Sequence, residues 1–238
     1  MLQAVRPGIG VYRTAGVDQA SERDFNVRVS EQGPNGERKA IWIGRLGSWR
    51  AVADLMMQLR VTFCAIDAGP ERRGARGVIG VLGGRGVLVE YGGPQESAFT
   101  YKERENTVRV NRTEAIDAMM DGIRLMRNLP LREPPPGYIA QLMAPRRRAT
   151  VNPKTEKVVR TYVSLGPDDY AHAEVYDMVA AEMLKLHHQA GALLEDRPVS
   201  DQEIGFQRTG LDAPFGGDPR RDGFGSYDAG FGEEGLLS

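Results

Sequence analysis

The chain has 238 residues, with 31 lysines and arginines against 32 aspartates and glutamates, one cysteine and 41% hydrophobic residues. That length suits one domain with an appendage, or two small domains, and can bury a sizeable core. A single cysteine excludes a disulfide framework and every multi-cysteine zinc module, a formal charge of −1 argues against a wholly basic nucleic-acid coat, and no window reaches the ~18 consecutive apolar residues of a membrane span. The start, MLQAVRPGIG, lacks the apolar core of a secretory signal, so a cytoplasmic protein is expected.

The elements read as follows in chain order. Residues 14–18 are a short apolar run ending in Asp18, residues 25–30 alternate as FNVRVS, and residues 37–46 read ERKAIWIGRL, with a turn-rich EQGPNGE between the last two. Three antiparallel strands in a meander are predicted. Ser48 caps a helix running to about Arg60, TFCAID at 62–67 is a central strand buried on both faces, and a weaker helix from Glu71 to about Leu82 leads to a strand at 87–91. TVRVNR then alternates like a strand, residues 113–126 form an amphipathic helix, and LREPPPG at 131–137 is a connector. Residues 141–151 and 156–164 predict a hairpin, and the longest helix spans 168 to about 188. On that helix, at roughly 100° per residue, Glu174, Asp177, Lys185 and His188 define a wet face and His172, Val175, Val179 and Met183 the opposite one. The order of elements is that of an α/β domain over residues 1–188.

The near-zero charge divides unevenly. Residues 189–238 hold ten acids and four arginines, a charge of −6, which leaves +5 on residues 1–188. The tail also carries ten of the 29 glycines and too little aliphatic matter to offset the entropy of ordering it, so an acidic, flexible, disordered segment is expected.

Acids at element ends are the candidate chemistry. Asp18 closes the first strand, Asp67 closes the central strand, and Asp168 with Asp169 opens the last helix. Acids at the ends of neighbouring strands can converge on one edge of a sheet, with a helix laid across it adding a third. Such clusters hold Mg²⁺ or Mn²⁺, since hard cations take oxygen ligands, and two ions ~3.5–4 Å apart suit phosphodiester cleavage. Each acid also has a structural reading, as a turn residue or a helix cap. His172, one turn from Asp168, reads either as a core residue or as a metal ligand.

The stretches AGVDQ (15–19), FCAIDAGPE (63–71), VNRTEAIDAMMDGIR (110–124) and GPDDYAHAEVYDMVA (166–180) together resemble the C-terminal nuclease domain of the large terminase subunit of tailed bacteriophages. The resemblance covers residues 12–188 and implies an RNase H-like mixed β-sheet flanked by helices, with a β-hairpin insertion. It also implies an endonuclease that cuts concematised double-stranded viral DNA during packaging with two divalent ions, Mg²⁺ or Mn²⁺. Asp18, Asp67 and Asp168 match the catalytic and metal-binding acids, Asp169 is a neighbouring alternate, and His172 sits where a further polar or acidic group is found. Partners implied are a packaging ATPase, a small terminase subunit and a portal, in the host cytoplasm. The phosphate loop of the terminase motor, G-x-x-x-x-G-K-[ST], does not occur in the sequence.

Positive charge for phosphates is densest at Arg146, Arg147, Arg148, Lys154, Lys157 and Arg160, on the predicted hairpin, which is expected to touch the DNA backbone. Cys64 is expected in the core, and Glu71 and Glu90 are further acids near strand ends. Two alternatives stand beside the terminase-like nuclease: another RNase H-like enzyme, such as a Holliday-junction resolvase or transposase core, and a noncatalytic packaging component docking on the portal or motor.

Overall fold

Three strands at the start of the chain, β1 (Arg13–Ser21), β2 (Asp24–Gln32) and β3 (Arg38–Leu46), form the antiparallel meander that their alternation predicts. Ser48 then caps α1 (Trp49–Gln58) by accepting a hydrogen bond from the Ala51 amide. A strand, helix, strand unit follows: β4 (Phe63–Asp67), α2 (Arg72–Val81) and β5 (Gly86–Gly92). After β6 (Phe99–Lys102) and β7 (Thr107–Asn111), Asn111 caps α3 (Arg112–Arg124). The two-residue β8 (Asn128–Leu129), α4 (Tyr138–Leu142), the hairpin of β9 (Pro145–Val151) and β10 (Val158–Ser164), and α5 (Asp169–Gln189) complete the chain. This computed structural model describes residues 12–92, 99–151, 156 and 158–189, so the predicted acidic tail, Lys154 and Lys157 lie outside the described residues.

Eight strands make one mixed sheet in the order β6-β7-β5-β4-β1-β2-β3-β8. β4 lies parallel to β1 and to β5, and β5 parallel to β7, while β2 runs antiparallel on either side. Alternate residues of each central strand enter two separate cores. Cys64 and Ile66 join Phe25, Val27 and Val29 under α1 and α2, whereas Phe63 and Ala65 meet Val175, Tyr176 and Val179 of α5 on the other face. β4 is therefore buried on both faces, as its unbroken apolar run predicts. Cys64 is fully buried, and desolvation pushes its thiol up to about 12.

α5 lies against β1 at unusually close range. A Cβ added at Gly16 would stand 2.1 Å from the Ala173 carbonyl oxygen and 2.2 Å from the Asp177 amide nitrogen, so only glycine lets helix and strand backbones approach this closely. The predicted wet face of α5 is a correction. Glu174 and Asp177 are 1% and 0% exposed, because β2 and β3 present arginines to them. Asp177 accepts hydrogen bonds from the Thr14 and Ser30 hydroxyls, both at 2.6 Å, from Arg38 at 2.8 Å and from Arg28 Nε at 3.2 Å. Glu174 takes the Arg28 guanidinium and the Tyr138 hydroxyl. Arg28 also reaches the Leu129 carbonyl, and Arg38 reaches Asn128, so β8 and α4 are tied to the same network. Burial works to lower the Arg28 pKa, but the Glu174 and Asp177 charges outweigh it and hold it above its ordinary value. At Arg38 burial wins and the pKa falls.

Smaller differences have local causes. β6, β8 and α4 were not predicted, each being five residues or fewer and too short for periodicity to register. α4 occupies 138–142, so the first hairpin strand begins at Pro145 rather than at 141.

Candidate functional site

Parallel pairing of β1 and β4 sets Val17 beside Ile66, so the next residues, Asp18 and Asp67, come side by side where β4 ends; β1 was expected to close at Asp18 but runs on to Ser21 in its ladder with β2. Both belong to the face covered by α5: Thr14 and Gly16, four and two residues before Asp18, contact Asp177, and Asp67 accepts a hydrogen bond from the Tyr176 hydroxyl at 3.3 Å. The first turn of α5 brings Asp168, Asp169 and His172 to the same place. The acids of three segments, separated by up to 151 positions in sequence, are thus neighbours in space, and their charges act on one another.

Gly69 shapes the Asp67 end. An added Cβ there would lie 2.4 Å from Asp67 Oδ2, so the loop after β4 can fold over the carboxylate only with glycine at 69. The Gly69 amide donates to that carboxylate, and together with the Tyr176 hydroxyl and His172 it offsets part of the burial that raises the Asp67 pKa. Asp18 has no such relief. It is 6% exposed; burial, then the charges of Asp67, Asp169, Asp168 and Asp24, push its pKa well above 3.8.

Asp168 and Asp169 differ in environment although adjacent. Asp168 is held by His172 Nε2 at 3.3 Å and Arg112 at 3.4 Å, and the His172 hydrogen bond, against burial, lowers its pKa. Burial and the Asp168 charge raise that of Asp169. An ionised carboxylate can only accept, so His172 Nε2 donates to Asp168, and Nδ1 lies 2.7 Å from the Tyr91 hydroxyl. Arg112 lies over the Tyr91 ring at 5.9 Å, which closes this side of the site.

Among the described residues, no three His, Cys, Asp or Glu side chains close to metal-ligand geometry around one point. Asp168 is instead engaged by Arg112 and His172. The donor set nonetheless fits a hard divalent cation: it consists of carboxylate oxygens, one of them buried among like charges. Asn26, directly opposite Asp18 across the β1–β2 ladder, is 0% exposed and leaves both its side-chain oxygen and nitrogen without a partner. A bound group beside Asp18 would meet both features.

The predicted hairpin cluster is divided. Register places Arg147 and Arg160 on the face of Tyr162, toward α3, and Arg146 and Arg148 on the opposite face. Arg147 pairs with Asp117 at 2.9 Å, while Arg146, Arg148 and Arg160 are exposed. Sequence reasoning did not find Asn26, Tyr91, Tyr176 or Arg72, since each is polar or aromatic in a segment whose apolar neighbours carried the periodic signal.

No protein-family model matches the chain, and no curated protein matches it. Two solved structures are similar to it: the large terminase nuclease from thermophilic phage G20c, and that nuclease with bound magnesium. Identity is 12% in both, the alignments cover 71% of this chain and 82% and 81% of those chains, and the TM-scores are 0.43 and 0.44. Likeness at this level says nothing about chemistry, for which the carboxylates of this chain are the ground.

Proposed function

We propose that the chain is a metal-dependent endonuclease that hydrolyses phosphodiester bonds of double-stranded DNA, in the role that its sequence resemblance to terminase nuclease domains implies: cutting concatemeric viral DNA during packaging. The observation that carries this reading is the meeting of Asp18, Asp67, Asp168 and Asp169 at one edge of the sheet, with the Asp18 carboxyl buried among the charges of the others. Asp18 is buried among like charges, and divalent cations are the species that such oxygen donors retain.

In this reading Asp18 and Asp67 hold the cations, Mg²⁺ or Mn²⁺, and Asp168 or Asp169 completes the set from the helix. When bound, the cations supply Lewis-acid stabilisation of charge developing on the phosphate oxygens. Tyr176 fixes the Asp67 carboxylate, and the Tyr91–His172 pair fixes Asp168. His172 is thus an orienting group rather than a ligand, because its Nε2 already serves Asp168. Arg146, Arg148 and Arg160 are the exposed hairpin cations available to the DNA backbone.

The test is cleavage of linear duplex DNA against a four-way junction of equal length, with Mg²⁺, with Mn²⁺ and with EDTA. Metal-dependent cutting of the linear duplex supports the reading. Preference for the junction would favour a resolvase, and no cleavage with either metal would favour a noncatalytic packaging role.

A further inference from the structure

A groove of about 280 Å³ opens beside Asp67, and its walls include Gly69, Arg72, Glu90 and Tyr91. Only Asp67 among these belongs to the metal-binding set proposed above. Arg72 is the first residue of α2, and two contacts fix where that helix starts. The Glu71 carboxylate caps the Gly74 amide, and the Glu71 amide donates to Gln19 Oε1, next to Asp18 on β1. The base of the Arg72 guanidinium is pinned as well, its Nε donating to the Ala68 carbonyl at 3.2 Å. Its outer nitrogen is paired with Glu90 at the end of β5. Both partners keep access to solvent, with 42% and 27% of their side-chain surface exposed.

This arrangement places a guanidinium fork on one side of the Asp67 carboxylate, while Arg112 stands at Asp168 on the other side. Guanidinium is the side chain best matched to two oxygens of a phosphate. A phosphodiester backbone drawn to the carboxylate edge must also be screened from the acids that surround it, which needs fixed cations next to them. We propose that Arg72 is the phosphate anchor of this groove and that Glu90 occupies it in the absence of nucleic acid. On binding, a backbone phosphate adjoining the cleaved bond takes the place of the Glu90 carboxylate on the outer guanidinium nitrogens, while the bond to Ala68 holds the fork in position. Glu90 then acts as an internal competitor that weakens DNA binding. The proposal rests on the nuclease reading for its substrate, but it concerns binding and can be measured without cleavage.

Two substitutions separate anchoring from mere structural pairing, because they break the same ion pair and are expected to act in opposite directions. Binding of a short fluorescein-labelled duplex is followed by anisotropy in EDTA across a salt series, with circular dichroism to verify folding. Arg72→Ala is expected to weaken binding about tenfold at low salt and to reduce the salt slope by about 1, as loss of one phosphate contact requires. Glu90→Gln is expected to tighten binding about threefold at low salt, since the competitor is neutralised. Arg72→Lys, with charge but no fork, should fall between wild type and Arg72→Ala. If both Arg72→Ala and Glu90→Gln weaken binding, or neither changes it while wild type binds, the anchor is refuted and the nuclease reading is untouched. Wild-type protein that binds no duplex in EDTA would overturn the anchor and leave the nuclease reading to the cleavage assay. Binding that follows the expected pattern without any metal-dependent cleavage would sustain the anchor and remove the nuclease.

Discussion

Replacing Asp177 by alanine removes the acceptor at the centre of the network beneath α5. Asp177 is 0% exposed and takes four hydrogen bonds, two from hydroxyls and two from guanidinium groups. Its loss leaves Arg28 and Arg38 facing Glu174 alone, so a buried cluster of two positive and two negative charges acquires a net positive charge. Breaking a buried pair from one side costs about 3–5 kcal/mol, because the remaining ion is desolvated without compensation. All four hydrogen bonds go to an ionised carboxylate, and summing them at about 1.5–3 kcal/mol each gives a higher figure, which non-additivity reduces. For a chain of this size each kcal/mol moves Tm by about 2–4 °C, so a fall of roughly 6–20 °C is expected in thermal melts followed by circular dichroism. Removing opposite charges together should cost less: Asp177→Leu with Arg38→Met should be more stable than Asp177→Leu alone. A loss under about 1 kcal/mol for Asp177→Ala, or no recovery in the double variant, would refute the view that this network is closed and dry.

Other outcomes follow from the same coordinates. The Asp18 carboxyl binds its proton more tightly in the native state than in the unfolded one, so stability falls as pH rises from 3.8 through its raised native pKa. Asp18→Asn should therefore melt above wild type at neutral pH in EDTA, with the advantage disappearing below pH 3.8; an equal or lower neutral Tm would contradict the assigned environment. Gly16→Val, whose Cβ meets backbone atoms of α5 at 2.1 and 2.2 Å, should cost more than about 3 kcal/mol in urea titrations, and a neutral result would mean that helix and strand are not so close. Arg146→Ala with Arg148→Ala should weaken duplex binding and lower its salt slope by about 2, and unchanged values would remove the hairpin from the DNA-binding surface.

The parts legible in the sequence were those in which one local signal matched one physical role. FCAID reads as a doubly buried strand because no polar residue interrupts it before Asp67, and Ser48 reads as a cap because its hydroxyl has an amide to serve three residues on. Asp67 and Asp168 were legible as strand-end and helix-start acids; Asp18 was expected to close β1, which runs on to Ser21, and parallel pairing of β1 with β4 sets it beside Asp67. The face of α5 was not legible. Its acids look solvated by helical phase, and the arginines that bury them, Arg28 and Arg38, lie some 140 residues earlier on strands of the opening meander. In β2 both faces are covered: Phe25, Val27 and Val29 meet one core, while Asn26, Arg28 and Ser30 lie under α5. Periodicity separates two faces but does not say whether a polar one meets water or a complementary helix. Likewise Tyr91 and Tyr176, which hold His172 and Asp67, come from apolar stretches and are distinguished only by where their hydroxyls end.

The central claim is that the carboxylates gathered from Asp18 of β1, the end of β4 and the start of α5 cut DNA with the help of divalent metal. Nicking and linearisation of a supercoiled plasmid, with Mn²⁺ or Mg²⁺, by wild type and by Asp67→Ala tests it most directly. Wild type should convert the plasmid only when metal is present, and Asp67→Ala, folded as judged by circular dichroism, should lose at least about a hundredfold in rate. Cleavage by Asp67→Ala at the wild-type rate would contradict the site, and an inert wild type with both metals would contradict the activity.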